Sequence, residues 1–177
     1  MTTQDYLTDA DTFTALLATP DADWGAASPC EGWSAADVVD HVVDTQRSFL
    51  AQRHADLGER PTGTPPQVWG AHDDAVRRLL ADDAFAATTY DGFFGPTTVG
   101  ETLTRFYGFD LLVHQWDLAR AFGRDVVWDE EQMDRIEQAL DGFGEHLYAD
   151  GICRPALDVG DDAPRQTRLL ARMGRAA

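Results

Sequence analysis

Residues 98–123 read TVGETLTRFYGFDLLVHQWDLARAFG, and this stretch decides the fold class. Thr98 and Glu101 have the spacing of a capping box, in which the first and fourth residues bind each other's backbone N–H groups at a helix start. Gly123 follows Phe122 at a position where glycine commonly ends a helix. The stretch therefore predicts one long helix from Thr98 to about Phe122.

Apolar residues recur at helical spacing in several other segments. They predict helices over residues 4–18, 34–57, 67–86 and 129–148, and a short helix over 163–173. Residues 88–98, TTYDGFFGPTT, are typical of a short hairpin. Five substantial helices with short connections predict an all-α, antiparallel helical bundle. The 177 residues fit one domain, residues 1–177, since a domain takes roughly 100–200 residues.

The chain is strongly acidic, and this excludes several classes of partner. It has 31 Asp and Glu against 14 basic residues, all of them Arg, for a formal net charge of −17. Such a surface repels nucleic acid and anionic membranes. The absence of Lys excludes a phosphate-binding loop and a Schiff-base mechanism. We expect most of the acidity to be solvated surface.

Two cysteines, Cys30 and Cys153, are too few for a disulfide framework. The N-terminus lacks the features of a signal peptide, and no apolar run reaches the ~18 residues of a membrane span. We therefore expect a cytoplasmic protein. Motifs of zinc proteases, di-iron bundles and serine hydrolases are also absent from the sequence.

A helical wheel places Asp110, His114 and Asp117 on one face of the long helix, directed into the bundle. It assigns the opposite, solvent face to another group of residues: Glu101, Thr104, Arg105, Gly108 and Gln115. A buried carboxylate and imidazole need compensation, because burying such groups unpaired costs several kcal/mol, roughly 2–7 for a neutral group. Three arrangements would each satisfy these groups: a bound metal ion, an Asp–His hydrogen bond, or a rotated helix that exposes Asp110, His114 and Asp117 to water. Residue spacing does not distinguish between the three.

The other histidines are candidate partners. His41 lies at the edge of the apolar face of the second helix, where a histidine is more often structural or solvated than a ligand. His54 and His72 are expected on the surface. His146 lies at the border of the apolar stripe of the helix predicted over residues 129–148.

Two blocks of sequence resemble a known family. They are Ser28–Ser34 (SPCEGWS) with Asp37–His41 (DVVDH), and Phe109–Gly123 (FDLLVHQWDLARAFG). Together they resemble the mycothiol-dependent branch of the DinB-like superfamily. More closely, the chain is similar to small actinobacterial metal-binding proteins related to the N-terminal domain of mycothiol-dependent maleylpyruvate isomerase. The tail from Arg154 to Gly174-Arg175 also resembles that family's ending, so the resemblance covers essentially the whole chain.

The resemblance implies a DinB-like four-helix core, with an extra helix or short hairpin and a C-terminal tail. It also implies one divalent metal held by His41, Asp110 and His114. The family often has Glu or His where this chain has Asp110, so the carboxylate arm is shorter here. Two imidazoles and one carboxylate leave positions open, as catalytic sites do, and they suit zinc or nickel.

An open position on a metal can bind and deprotonate a thiol. The resemblance therefore implies a mycothiol-dependent enzyme that transfers the thiol to a small electrophile or isomerises that electrophile. The alternative is a non-catalytic metal-binding or helical dimerisation protein without turnover. A homodimer is compatible with both. Catalytic residues beyond the metal ligands are not assigned.

Several further residues have two interpretations each. Asp117 either orients a ligand imidazole through a hydrogen bond or pairs with Arg120 or Arg124. Trp33, Trp116 and Cys30 either line a pocket or pack in the core. Five of the 14 Arg lie between Arg154 and Arg175. This basic tail either docks onto the acidic body or binds a substrate anion.

Overall fold

The computed structural model describes residues 2–149 and 152–176. The long helices are α1 (Thr3–Leu17), α2 (Ala35–Ala51), α3 (Pro65–Leu80), α6 (Gly108–Ala121) and α7 (Glu130–Phe143). Shorter elements are α4 (Asp83–Ala86), β1 (Thr89–Gly92), β2 (Gly95–Thr98), α5 (Val99–Thr102), a π-helical turn (Leu103–Tyr107), a 3₁₀ turn (Gly144–Tyr148) and α8 (Arg165–Arg172). The structure thus confirms the predicted all-α fold with one hairpin.

Capping residues begin the helices where the sequence predicts. Ser34 and Asp37 form a capping box at the start of α2, and Thr98 and Glu101 form one at the start of α5. The prediction of one helix over 67–86 is wrong, because α3 ends at Leu80 and the Asp82 side chain caps α4 instead. The hairpin is confirmed as an antiparallel pair in which Thr89 lies opposite Thr98.

The helix predicted from Thr98 to Phe122 is interrupted by the π-helical turn at Leu103–Tyr107. A π turn holds more residues than an α turn, so side chains on its two sides no longer share one wheel. The predicted solvent face is accordingly wrong for Thr104, Gly108 and Gln115, all of which are buried. Glu101 and Arg105 are exposed as predicted.

α6 is the central helix of the molecule. α1 and α2 each contact both α3 and α6, and these four helices surround the first hydrophobic core. α7 packs against the other side of α6, and a second core forms between α6, α7 and α8. Between Gly108 and Ala119, every residue of α6 except Asp110 is buried. The inner segment of α6 therefore has core on both sides.

Three aspartates are buried: Asp117, which the helical wheel directs into the bundle, and Asp9 and Asp73, which the sequence did not distinguish from the solvated acidity. Each pairs with an arginine: Asp9 with Arg135, Asp73 with Arg77, and Asp117 with Arg175. These pairings supply the compensation that a buried carboxylate needs. Periodicity could not show them, because two of the three arginines come from distant parts of the chain.

His72 is also buried, which contradicts its predicted surface position. Its Nε2 lies 3.1 Å from Gln46 Oε1, in a contact between α3 and α2. Burial lowers the pKa of His72 to about 4, so the ring is neutral at pH 7. His54 is exposed as predicted.

The basic tail docks onto the acidic body, as one of the two interpretations predicts. Arg165 of α8 forms ion pairs with three acidic residues of α7, Glu130, Asp134 and Glu137. Arg172 pairs with Asp141 on the same helix. In the described parts of the chain, no helix combines the length and apolar character needed to cross a membrane.

Candidate metal centre

His41 of α2 faces Asp110 and His114 of α6. The Nε2 atom of His41 lies 3.7 Å from Oδ1 of Asp110, and the Nε2 atom of His114 lies 3.3 Å from the same oxygen. One ligand atom from each side chain lies within 4.8 Å of the other two. The structure thus brings together the three residues that the family resemblance implies as metal ligands.

Local structure explains this convergence. Asp110 and His114 are four residues apart, so their side chains emerge from adjacent turns on the same face of α6. The capping box at Ser34 fixes where α2 begins and places His41 two turns into it. Val38 and Val42 on that turn are fully buried, which seats α2 against the core while His41 stays partly exposed.

Asp117 binds the other ring nitrogen of His114. Nδ1 of His114 lies 2.9 Å from Oδ2 of Asp117, whose side chain is 0% exposed. An ionised carboxylate only accepts hydrogen bonds, so Nδ1 donates and Nε2 is the nitrogen that faces Asp110. Asp117 therefore lies where a carboxylate could orient the imidazole, which is one of its two interpretations. The alternative pairing is wrong, because Arg120 binds Asp125 and Arg124 binds Thr19.

The charges around His114 favour a cation at this position. Burial opposes ionisation of Asp110, but the charge and hydrogen bond of His114 outweigh burial and lower the pKa of Asp110. Burial likewise opposes protonation of His114, and the attraction of Asp110 with hydrogen bonds to both carboxylates raises its pKa well above the usual range. Hydrogen bonds from His114 and Arg175 overcome burial and lower the pKa of Asp117 to about 2. The negative charge of Asp110 and Asp117, which favours a proton on His114, also favours a metal ion at this position.

The donor set fits a divalent ion. Oδ2 of Asp110 is buried and has no hydrogen-bond partner, although buried polar atoms nearly always have one. Ligands ~2.0–2.1 Å from a tetrahedral zinc lie about 3.3 Å from one another. The 3.3 Å and 3.7 Å separations are close to that spacing, and all three ligand atoms lie within 4.8 Å of one another, so the donor set is compatible with one shared ion.

Of the predicted pocket residues, Trp33 and Cys30 lie at this centre and Trp116 does not. The ring of Trp33 lies 4.7 Å from that of His41 and 6.1 Å from that of His114, measured between centroids. Trp116 is buried in the second core because it points to the other side of α6, two residues beyond His114.

Cys30 lies behind His114, on the side of Asp117. Its Sγ atom is 3.3 Å from Asp117 Oδ2 and 3.5 Å from Arg175 Nη2. Arg175 is a residue of this centre that no site prediction named. In the sequence, Arg175 was noted only as part of the Gly174-Arg175 pair, which resembles the ending of the family.

The sequence is similar to known proteins over most of its length. A family model for the mycothiol maleylpyruvate isomerase N-terminal domain matches residues 7–119, which include all three candidate ligands and Asp117. Two uncharacterized proteins of Mycobacterium tuberculosis, from strains CDC 1551 / Oshkosh and ATCC 25618 / H37Rv, are each 33% identical to this chain. Each alignment covers 93% of this chain and 92% of the relative. No solved structure shows significant similarity to the chain.

Proposed function

Because this chain belongs to the mycothiol maleylpyruvate isomerase N-terminal domain family, we propose that it is a single-domain protein that binds one divalent metal through His41, Asp110 and His114. We further propose that it is an enzyme with a low-molecular-weight thiol, mycothiol or a close relative, as co-substrate. Its two cysteines are free thiols, which supports a location in the reducing cytoplasm.

The observation that carries this proposal is the convergence of two imidazole nitrogens, from His41 of α2 and His114 of α6, on the Asp110 carboxylate, whose Oδ2 has no hydrogen-bond partner. An Asp–His hydrogen bond alone does not account for it, because His41 also faces Oδ1 of Asp110 while Oδ2 stays buried and unpaired. Rotation of α6 into water is excluded by the burial of His114 and Asp117. A metal ion satisfies all three side chains at once.

Zinc or nickel suits two imidazoles and one carboxylate. When bound, such an ion supplies a positive charge that deprotonates a thiol at neutral pH. Other residues of the chain position and surround the ligands. Asp117 holds the His114 ring in position, and the ring of Trp33 packs against that of His41. The partial exposure of His41 and Asp110 leaves an approach for a small molecule.

Native mass spectrometry of the purified protein tests metal binding and reports bound thiol and oligomeric state, including a homodimer, in one measurement. We expect about one equivalent of metal in the wild type. His114→Ala and Asp110→Asn should both bring this close to zero. His54→Ala is the matched control, because His54 is exposed and lies outside the centre. Full metal content in His114→Ala would overturn the site.

Turnover needs a separate assay. Metal-loaded wild type, metal-free wild type and His114→Ala are incubated with mycothiol and a panel of small electrophiles that includes maleylpyruvate. We expect thiol consumption or isomerisation only with the metal-loaded wild type. If the loaded protein binds metal stoichiometrically and shows neither reaction, the enzyme proposal fails and a non-catalytic metal-binding protein remains.

A further inference from the structure

The end of the chain reaches the candidate metal centre from outside the family-matched segment of residues 7–119. Arg175 lies three residues beyond α8, and its side chain is only 11% exposed. Its Nε donates to Oδ1 of Asp117 at 2.8 Å, and its Nη2 donates to Oδ2 at 2.7 Å. Such a two-point contact between a planar guanidinium and a carboxylate fixes the orientation of both groups.

Gly174 directs Arg175 inward. The backbone N–H of Gly174 binds the carbonyl of Ala171, and that of Arg175 binds the carbonyl of Leu170, which is the Schellman arrangement at a helix end. Gly174 has a φ of 71°, and an added Cβ would lie 2.6 Å from the Cβ of Arg154. A residue with a side chain is therefore strained and crowded at this position. Gly174 thus turns the chain, and the turn directs the guanidinium of Arg175 to Asp117.

Two distant segments of the chain, the loop before α2 and the C-terminal tail, meet α6 at Asp117. Oδ2 of Asp117 accepts from Nδ1 of His114, from Arg175 and from the thiol of Cys30 in the loop before α2. Cys30 also contacts Arg175 directly. The accessibility of the Cys30 thiol therefore reports whether the tail is docked, independently of any metal.

We propose that Arg175 is a positioning residue of the metal centre, and that the C-terminal tail is a latch which holds Asp117 against His114. Without the guanidinium, Asp117 is free to turn away, and His114 loses the contact that aims Nε2 at Asp110 and His41. The inference rests on the proposed function in one respect, namely that the centre binds a divalent ion. Arg175 touches neither the ion nor a substrate and acts through Asp117.

The test compares four variants. Arg175→Ala removes the guanidinium, and Gly174→Ala keeps it but misdirects it. Arg175→Lys keeps the charge, and so protects the fold, but provides a single point of contact. Arg172→Ala is the matched control, because Arg172 belongs to the same tail and makes an exposed ion pair with Asp141.

Two measurements are made on each variant. The first is affinity for Zn²⁺ and Co²⁺ alone, by competition with a chromophoric chelator, together with the visible spectrum of the Co²⁺ form. The second is the rate at which iodoacetamide alkylates Cys30 in the metal-free protein, followed by mass spectrometry of its peptide. We expect Arg175→Ala and Gly174→Ala to bind metal about 10–100-fold more weakly, as disruption of such outer contacts typically does. Their Cys30 alkylation should be several-fold faster.

Arg175→Lys should recover part of the affinity and a wild-type-like Co²⁺ spectrum, which a purely structural role of the tail would not produce. Arg172→Ala should match the wild type in both measurements. The inference is overturned if Arg175→Ala and Gly174→Ala behave like Arg172→Ala. If the wild type binds no metal, the proposed function fails, and the alkylation rates alone decide whether Arg175 holds Asp117.

Discussion

Nδ1 of His114 lies 2.9 Å from Oδ2 of Asp117, and this one contact determines which ring nitrogen faces the other candidate ligands. Asp117 itself is fully buried and receives two further hydrogen bonds from Arg175. The centre therefore depends on a carboxylate that does not belong to the three converging ligands. Its contribution can be measured separately from theirs.

Replacing Asp117 should weaken metal binding without removing a ligand. In Asp117→Asn the amide is neutral, so it orients His114 less firmly and leaves the Arg175 charge uncompensated. We expect metal affinity to fall about 10–100-fold, measured by chelator competition. Asp125→Asn is the control, since Asp125 is an exposed partner of Arg120. Equal affinities in the two variants would contradict the orienting role.

Metal removal should lower the melting temperature. An ion that binds only the folded state stabilises it by about 2.7 kcal/mol when its free concentration is 100 times Kd. For a chain of this length this corresponds to a shift of about 5–10 °C. Differential scanning fluorimetry with and without a chelator measures it. His114→Ala should show no such shift, and an unchanged wild-type melting curve would count against a filled site.

The buried His72 should make stability depend on pH. Its folded pKa of about 4 lies below the usual value near 6.5, so the unfolded chain binds more protons between these values. The stability from His72 is complete above pH 6.5 and is lost as the pH falls towards 4. At pH 4.5 the loss is about 2–3 kcal/mol in the free energy of unfolding.

His72→Gln should remove this dependence while keeping a hydrogen bond to Gln46. Urea unfolding of wild type and variant at pH 7 and pH 4.5 gives the difference. Burial raises the pKa of the neighbouring Asp73, which opposes the effect of His72 but is common to both proteins. His54→Gln, at an exposed position, is the control. An equal loss of stability in wild type and His72→Gln would refute the prediction.

The pair of Asp9 with Arg135 should contribute strongly to stability. Asp9 is 1% exposed and binds two nitrogens of Arg135 at 2.8 and 3.2 Å, which ties α1 to α7. Asp9→Ala leaves a mostly buried arginine unpaired, and we expect a loss of about 3–5 kcal/mol. Asp11→Ala removes an exposed partner of Arg77 and should cost about 0.2–1 kcal/mol. Chemical denaturation of the two variants should separate these values clearly.

Local signals in the sequence were enough to predict most helix starts and the hairpin. The capping box at Ser34 depends on residues three apart, and so does the one at Thr98. The π-helical turn was not predicted, because its sequence LTRFY contains no Gly or Pro that would mark an irregularity in the helix. Its effect appears in the burial of Thr104, Gly108 and Gln115, which a continuous α-helical wheel places on the solvent face.

The candidate site was partly predictable for a similar reason. Asp110, His114 and Asp117 share one helix face, so their spacing was visible in the sequence, and the family resemblance selected His41. Arg175 was not predicted as a site residue. Its partner Asp117 is 58 residues away, and only the turn at Gly174 brings them together.

The inner segment of α6, from Gly108 to Ala119, has a single position that is open to solvent. That position is Asp110, a candidate ligand. On this side, an ion or small molecule therefore passes the same carboxylate that would hold the ion. Binding of an ion at Asp110 would therefore also change how other molecules reach the centre. The length of the Asp110 side chain sets its reach to the ion, so a longer Glu would alter that reach.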